Sequence, residues 1–147
     1  MTSIRAIALS DYTSWCSLYA AYAEFYQVTQ TQEMRDQVWS WLHNSNHEVN
    51  GLIAINHDGI AVGIAHYRPF ARPLSASTGG YLDDLFVSPS ARGNAIGTKL
   101  IEAVAQIAKE KNWSVLRWIT AENNYPARNT YDKLALQTKW VTYDIKL

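Results

Sequence analysis

The sequence has little of what several classes of protein require. Cys16 is the one cysteine among 147 residues, so no internal disulfide can form, which fits a reducing compartment. Its 13 basic and 13 acidic residues cancel, whereas a surface that coats nucleic acid needs an excess of lysine and arginine. No stretch approaches the ~20 apolar residues of a membrane span, and the N-terminus lacks the apolar core of a signal peptide. We therefore expect a cytoplasmic protein that binds neither nucleic acid nor membrane.

Sites for metal and for serine nucleophiles are missing as well. The histidines His43, His47, His57 and His66 do not have the spacing of a metal-binding motif. No Gly-x-Ser-x-Gly turn of a serine hydrolase is present. We predict no metal site.

Hydrophobic periodicity predicts a single domain over residues 1–147 with α+β architecture. The predicted strands cover 4–7, 52–55, 60–67, 81–87, 115–120 and 140–145, and the predicted helices cover 15–26, 34–42, 97–111 and 126–135. Residues 69–80 are predicted to form a loop. This order favours a mixed, mostly antiparallel central sheet flanked by helices, with a parallel crossover between the strands at Tyr81 and Val115.

The stretch from Tyr81 to Leu100 is the most informative part of the chain. A strand runs through a turn containing Arg92 and Gly93 directly into a helix. Free backbone N–H groups and the positive end of the helix dipole make such a junction an anion site. The Walker pattern fails because Gly97 is followed by Thr98-Lys99, and the three-glycine dinucleotide pattern also fails. Two interpretations stay open: a cradle for a pyrophosphate, or a tight strand-to-helix turn.

This stretch resembles motif A of the GCN5-related N-acetyltransferases (GNAT), whose pattern is Gln/Arg-x-x-Gly-x-Gly/Ala. Arg92, Ala95 and Gly97 occupy its three defining positions. Ala95 stands where the first glycine is usual, and its methyl group could crowd a contact between backbone and phosphate.

A second region is similar to the later motif of the same family, Asn-x-x-Ala-x-x-x-Tyr-x-Lys. Its positions are taken by Asn124, Ala127, Tyr131 and Lys133. The strand around Asp83 and the aromatic first helix are most like the histone/polyamine branch.

The resemblance implies that acetyl-coenzyme A (acetyl-CoA) is the co-substrate. Its pantetheine arm would lie along the strand formed by Leu85, Phe86 and Val87, where a backbone N–H near Phe86 or Val87 would donate to the thioester carbonyl. The residues implied to hold the rest of the molecule are Arg92, Gly93, Asn94, Ala95, Ile96, Gly97, Thr98 and Asn124.

Two catalytic roles follow from the same resemblance. Tyr131 lies where the family places the acid that protonates the leaving thiolate, and a phenol with a pKa near 10 can do so. Asp83 matches the carboxylate that serves as base, often through water, and Asp84 is the second choice, as a charge that binds the acceptor. Neighbours on a regular strand point to opposite faces, so only one faces the acceptor unless a bulge intervenes.

The acceptor pocket is the remaining prediction. Tyr22, Glu24, Tyr26, Glu33 and Trp39 could form an acidic and aromatic wall that suits a cationic amine. Alternatively, the first helix turns these aromatic side chains into the core.

We thus expect an N-acetyltransferase whose acceptor is a primary amine of a small molecule, such as a polyamine or an amino-acid-like compound. The amine would attack the thioester directly. The alternatives are a protein-lysine acetyltransferase and a non-catalytic acyl-CoA-binding module. Family members often dimerise through their last strands, which implies a homodimer.

Overall fold

The computed structural model describes residues 1–147 and contains one sheet of five strands in the order β1-β2-β3-β4-β5. The strands are β1 (Ser3–Ala6), β2 (Asn50–Ile55), β3 (Ala61–Arg72), β4 (Ser77–Val87) and β5 (Leu116–Arg117). Neighbouring strands are antiparallel from β1 to β4, and β4 and β5 are parallel. The predicted α+β fold with its parallel crossover is confirmed.

Four helices flank this sheet. They are α1 (Tyr12–Phe25), α2 (Gln32–Leu42), α3 (Ile96–Glu110) and α4 (Tyr125–Leu134). The hydroxyl of Thr31 caps α2 by accepting a hydrogen bond from the backbone N–H of Met34 at 3.2 Å, which satisfies one of the free donors of the first turn. None of the helices combines the length and hydropathy that a membrane-spanning helix needs.

Each face of the sheet carries its own hydrophobic core. On one face, Trp15, Leu18 and Tyr19 of α1 pack with Ile53, Ile64 and Phe86, and side chains of α2 cover them. On the other face, the apolar stripe of α3 packs on β2, β3 and β4, with Trp118 and Tyr131 at its border. The strands are therefore buried on both sides, in a layer between two layers of helices.

The predicted loop over residues 69–80 is wrong. β3 and β4 continue as a long hairpin, paired from Pro69↔Gly80 to Arg72↔Ser77, and only Pro73–Ser75 forms a short helical turn. The glycines suggested a loop, but they serve packing instead. A Cβ at Gly79 would lie 2.7 Å from the ring of Phe70, so a larger residue would displace that ring.

The predicted closing strand over residues 140–145 is also wrong. No residue after Leu134 belongs to a helix or strand, and the side chains of Trp140, Val141, Tyr143 and Ile145 are exposed. Alternation of apolar residues specifies that a segment can form a strand, but not which edge it pairs with. Within this chain the outer edge of β5 stays unpaired.

Candidate active site

A β-bulge interrupts β4 at Asp83. His66 pairs with Asp84 and Tyr67 pairs with Leu82, so Asp83 has no partner on β3. A bulge breaks the alternation of side chains along a strand. Asp83 and Asp84 consequently line one cavity together, which a regular strand would not allow.

Beyond the bulge, β4 and β5 diverge. They pair only at Gly80↔Leu116 and Tyr81↔Arg117, so β5 is much shorter than the predicted strand over 115–120. From residue 82 onward, β4 borders a gap where a neighbouring strand would otherwise lie. Backbone groups that point into this gap have no strand partner, which is the requirement for binding an extended amide-containing ligand.

The register identifies the backbone donors in the gap. The N–H of Ser88 donates to the carbonyl of Val62 on β3 at 2.8 Å. Because N–H groups alternate between the two sides of a strand, those of Leu85 and Val87 point away from β3 into the gap. The N–H of Phe86 points to β3, and its ring is buried against α1. Of the three predicted strand residues, Leu85 and Val87 can therefore bind a ligand in the gap, and Phe86 cannot do so through its N–H.

The turn after β4 presents a row of free donors. The backbone N–H groups of residues 93–98 donate no hydrogen bond to any protein acceptor, and they precede the 15-residue helix α3. Six free donors at the positive end of a helix dipole are suited to bind a phosphate-rich anion. The turn is possible because Gly93 and Ala95 have positive φ angles of 90° and 58°.

Ala95 has the left-handed conformation, which explains why the family motif has glycine there. For a residue with a Cβ, the left-handed conformation is about 1–2 kcal/mol less favourable than the right-handed one. Ala95 is exposed, so its methyl group costs conformational strain but does not clash with the core.

The side chains of the turn have different surroundings. The Nε of Arg92 donates to the carbonyl of Val87 at 3.1 Å, and its guanidinium group lies over the rings of Phe25 and Phe86. Asn94 donates to the carbonyl of Ala91. The side chain of Ile96 is buried in the core, so only its backbone N–H is available to a ligand.

A small cavity of about 20 Å³ lies at the gap between β4 and β5. Tyr131 of α4 reaches it from one side, Asp83 from β4, and Tyr22 of α1 with Tyr26, the residue that follows α1, from another. The hydroxyl of Thr120 in its wall is buried without a hydrogen-bond partner. Such a group is costly unless a ligand satisfies it. Together with the free N–H groups of the gap and turn, it fits a ligand with phosphate, amide and carbonyl groups.

Tyr131 is suited to hold a proton in this cavity. Its ring contacts that of Trp118, with 5.4 Å between centroids, and its hydroxyl makes no hydrogen bond to protein. Burial, and to a smaller extent Tyr26, raises the pKa of Tyr131 above its usual value. The phenol is therefore protonated at neutral pH and can donate.

A larger cavity of about 340 Å³ lies on the α1–α2 face of the sheet. The polar residues that line it are Tyr19, His47, Glu48, His66, Arg68, Asp83 and Asp84. Asp83 lines this cavity and the small one, so the bulge places one carboxylate where the two meet.

A chain of buried hydrogen bonds fixes Asp84. The Oδ2 of Asp84 accepts from the hydroxyl of Tyr19 at 2.9 Å and lies 2.8 Å from Nδ1 of His66. The indole N–H of Trp15 donates to Nε2 of the same imidazole at 2.9 Å. Because an indole nitrogen only donates, Nε2 of His66 must accept, and the ring proton is on Nδ1, directed to Asp84.

The two carboxylates titrate in opposite directions. Burial would raise the pKa of Asp84, but the hydrogen bonds that His66 and Tyr19 donate to it hold the pKa below its ordinary value. Burial raises the pKa of Asp83 above its ordinary value, although Arg68 opposes this. The Nε of Arg68 donates to both oxygens of Asp83, at 3.0 and 3.2 Å. When the pKa values of two adjacent acids shift in opposite directions, the acid with the raised pKa can exchange a proton and the other stays ionised.

The predicted acceptor residues have mixed outcomes. Tyr22 and Tyr26 line the small cavity, and Asp84 lines the larger one. Trp39 instead packs on Trp15, with 5.0 Å between ring centroids.

Glu24 and Glu33 are exposed and belong to neither cavity. Helical spacing placed them on the correct helices but could not choose the side that faces the cavity.

Sequence reasoning missed the residues that β3 contributes. The sequence shows only that His66 lacks the spacing of a metal ligand, whereas in the structure it is 1% exposed and bonds to Trp15 and Asp84. Arg68 follows two positions later on the same strand, and residues two apart point to the same face. This spacing was the one signal that could have placed both side chains beside Asp83 and Asp84.

A model of the Acetyltransferase (GNAT) family matches residues 15–135. The chain therefore belongs to the GNAT family and is an acetyl-CoA-dependent N-acetyltransferase. The match includes both motifs and the bulged strand between the two cavities.

Several curated proteins are similar to this chain. The D-amino-acid N-acetyltransferase HPA3 of Saccharomyces cerevisiae is 28% identical over 141 residues, which are 95% of this chain and 88% of that protein. A thialysine N-epsilon-acetyltransferase of Bos taurus is 40% identical over 57 residues, which are 39% of this chain and 34% of that protein.

Solved structures share the fold. The aminoglycoside N-acetyltransferase AAC(6')-Iy, in complex with CoA, has a TM-score of 0.84 at 20% identity, with 99% of this chain and 95% of that chain covered. A probable acetyltransferase has a TM-score of 0.88 at 20% identity, covering 99% of this chain and 97% of its own.

The network around Asp84 makes a prediction about stability. In Asp84→Asn the hydrogen bonds of Tyr19 and His66 to a carboxylate are lost, and we expect the free energy of unfolding at pH 7 to fall by about 1–3 kcal/mol. The folded-state pKa lies below the unfolded value of about 3.9. The contribution is therefore fully present above that value and is lost as the pH falls through the folded-state pKa.

Urea unfolding at pH 7 and at lower pH measures both effects. The difference between wild type and Asp84→Asn should shrink as the pH falls below about 4. The control is Asp132→Asn, an exposed position on α4 whose change should have little effect. The proposed role of the network would be contradicted if wild type and Asp84→Asn had the same free energy of unfolding at pH 7. A difference between them that grows in acid would contradict it as well.

Proposed function

We propose that this protein transfers the acetyl group of acetyl-CoA directly to a primary amine of a small molecule. The observation that carries the proposal is the position of Asp83, a carboxylate with a raised pKa that lines both the larger cavity and the gap cavity with Tyr131. An amine bound in the larger cavity meets this carboxylate on its way to a thioester in the gap.

The backbone supplies the binding site for the co-substrate. Acetyl-CoA brings a thioester whose carbonyl carbon accepts the amine. We assign its phosphates to the N–H groups of residues 93–98, and its pantetheine arm to the N–H groups of Leu85 and Val87. The side-chain amide of Asn124 makes no hydrogen bond at the start of α4 and is free to contact that arm. A backbone donor aimed at the developing oxyanion contributes about 2.7–4 kcal/mol to lowering the barrier.

Asp83 is the base, and Asp84 holds the acceptor. An alkyl ammonium must lose a proton before it attacks, and Asp83, with its raised pKa, accepts that proton directly or through water. Asp84 stays ionised because its pKa is lowered. Tyr19 and His66 both bond to its Oδ2, and the Tyr22 hydroxyl lies near the same carboxylate, so we assign Oδ1 to the ammonium group. As the C–N bond forms and the C–S bond breaks, the hydroxyl of Tyr131 gives its proton to the leaving sulfur. The second proton, which the nitrogen loses on becoming an amide, returns through solvent to restore the phenol.

A small acceptor is favoured over a lysine of a protein. The larger cavity is bordered by α1, α2 and the loop that follows α2, and its volume of about 340 Å³ is in the range of small-molecule sites. Proteins similar to this chain are named for D-amino acids, thialysine and aminoglycosides, all small amines. A non-catalytic acyl-CoA-binding module would have no use for the pairing of Asp83 with Tyr131.

The experiment that tests this function is release of CoA thiol from acetyl-CoA with a panel of polyamines, amino acids, aminoalkyl compounds and a histone-tail peptide. Release that depends on a small amine supports the proposal. Release with the peptide alone favours the protein-lysine alternative. Thermal stabilisation by acetyl-CoA without release from any acceptor favours the binding module.

We also propose that the chain works as one domain over residues 1–147, in the cytoplasm and as a homodimer. The lone cysteine supports the compartment. The exposed apolar residues after Leu134 support the dimer, since monomers rarely leave such a patch uncovered. Light scattering at micromolar concentration should give the mass of two chains, and the mass of one chain would contradict the dimer.

Tyr131→Phe removes the proposed acid while keeping the ring that packs on Trp118. We expect kcat to fall by roughly 10²- to 10⁴-fold, with thermal stabilisation by acetyl-CoA nearly unchanged. Tyr125→Phe is the matched control, because Tyr125 is on the same helix and is 64% exposed. If Tyr131→Phe turns over like Tyr125→Phe, the acid role is wrong.

Asp83→Asn removes the proposed base. In the wild type, kcat/KM should rise with pH as Asp83 loses its proton, and the midpoint of this rise should exceed the ordinary aspartate pKa because burial raises it. The charged and titratable groups that face Asp83 are Arg68, Asp84 and His66. Among them, Arg68 opposes the increase of the Asp83 pKa that burial causes.

We expect the acidic limb to disappear in Asp83→Asn and the rate at neutral pH to fall by roughly 10²-fold or more. A pH–rate profile of both proteins is the measurement. An unchanged limb in Asp83→Asn would assign it to another group.

A further inference from the structure

We infer that the acceptor is a zwitterion, an amine with a carboxylate on the adjoining carbon as in an α-amino acid, and that Arg68 binds this carboxylate. The inference rests on the proposed function, since it specifies the substrate of the same cavity. It separates two classes that the amine site alone does not distinguish, amino acids and polyamines.

The first observation is the unused part of the Arg68 guanidinium group. Only its Nε is engaged, in the two hydrogen bonds to Asp83, and neither terminal nitrogen bonds to protein. The side chain is 32% exposed and lines the larger cavity. An arginine offers five N–H donors in a fork that matches a carboxylate, so four donors are left for a ligand.

The second observation is that the guanidinium group is held in place. Its central carbon lies 5.0 Å from the centre of the Tyr81 ring, and the pair of bonds to Asp83 fixes it from the other side. A preorganised arginine loses less side-chain entropy when it binds a carboxylate than a mobile one would.

The third observation is the distribution of charge. Asp83 and Asp84 form the ammonium site, and Arg68 is the one arginine or lysine in the cavity lining. Because Arg68 touches Asp83 directly, an amine bound by the two carboxylates presents its adjoining carbon to the guanidinium group. A carboxylate on that carbon is attracted there, and a second cation is repelled.

The rest of the lining suits the remainder of an amino acid. Val38, Trp41 and Val49 supply apolar surface to the larger cavity, which can contact a hydrocarbon side chain. The exposed Glu48 also belongs to the lining and would attract a distant second amine, so polyamines are the comparison that the experiment must include.

The experiment compares matched acceptors in the thiol-release assay: an amino acid in both enantiomers, its amide, its decarboxylated amine, and spermidine. Phenylalanine, phenylalaninamide and phenethylamine form one such set. We expect the wild type to have a kcat/KM for one enantiomer of the free acid that is roughly 10- to 100-fold higher than for the amine or the amide.

Arg68→Met should remove most of that ratio, and Arg68→Lys should retain part of it, since lysine keeps the charge without the fork. The informative quantity is the ratio of kcat/KM for the free acid to kcat/KM for the amine or the amide. Loss of Arg68 also changes the electrostatic environment of Asp83, and that effect on the base is shared by all acceptors of a set. Arg72→Met is the matched control, because Arg72 is on the same strand but contacts Ser114 outside the cavity.

The outcomes separate the two proposals. If the amines or spermidine are acetylated as well as the free acid, or the ratio survives in Arg68→Met, the zwitterion inference is wrong while the acetyltransferase function stands. If no acceptor of any class supports release, the proposed function fails, and this inference fails with it. The wild-type ratios decide the inference even if Arg68→Met does not fold.

Discussion

Past Tyr81, β4 keeps its hydrogen bonds to β3 but has none to β5, and the bulge at Asp83 marks where this separation begins. An unpaired strand edge inside a protein normally costs free energy, because buried N–H and C=O groups need partners. We propose that a ligand supplies the missing partner here. The gap leaves the N–H groups of Leu85 and Val87 free, and the bulge directs Asp83 toward both cavities. The surrounding helices close the gap, as α4 brings Tyr131, α1 brings Tyr22, and Tyr26 follows directly after α1.

Electrostatic asymmetry between two neighbouring side chains then makes the gap reactive. Asp84 accepts hydrogen bonds from Tyr19 and His66 on one oxygen. Asp83 accepts hydrogen bonds from Arg68 alone, and burial raises its pKa. Trp15 lies behind His66 and fixes its tautomer, so a residue of the α1 core determines which imidazole nitrogen donates to Asp84. Packing and acid–base properties are therefore coupled through one chain of hydrogen bonds.

The sequence predicted much of the fold and of the donor side of the site. Periodicity located all four helices and five strands, and the two motifs located the anion-binding turn and Tyr131. Ala95 and Gly93 lie in left-handed conformations, so this turn is set by local backbone preferences that a motif can record. The acceptor side depends on which residues of β3, β4 and α1 meet, and that depends on tertiary register. His66 and Arg68 carry only the two-residue spacing of a strand, which does not specify the strand beside them. Trp39 packs on Trp15, and the apolar alternation over 140–145 forms no strand.

The bulge also joins the two faces of the sheet. The larger cavity opens on the face covered by α1 and α2, while the gap between β4 and β5 continues to the N-terminus of α3. Two reactants can thus approach Asp83 from different directions without sharing an entrance. Neither has to leave before the other enters, and both can be present when the bond forms. The geometry accommodates a ternary complex in which the order of arrival is not imposed by obstruction.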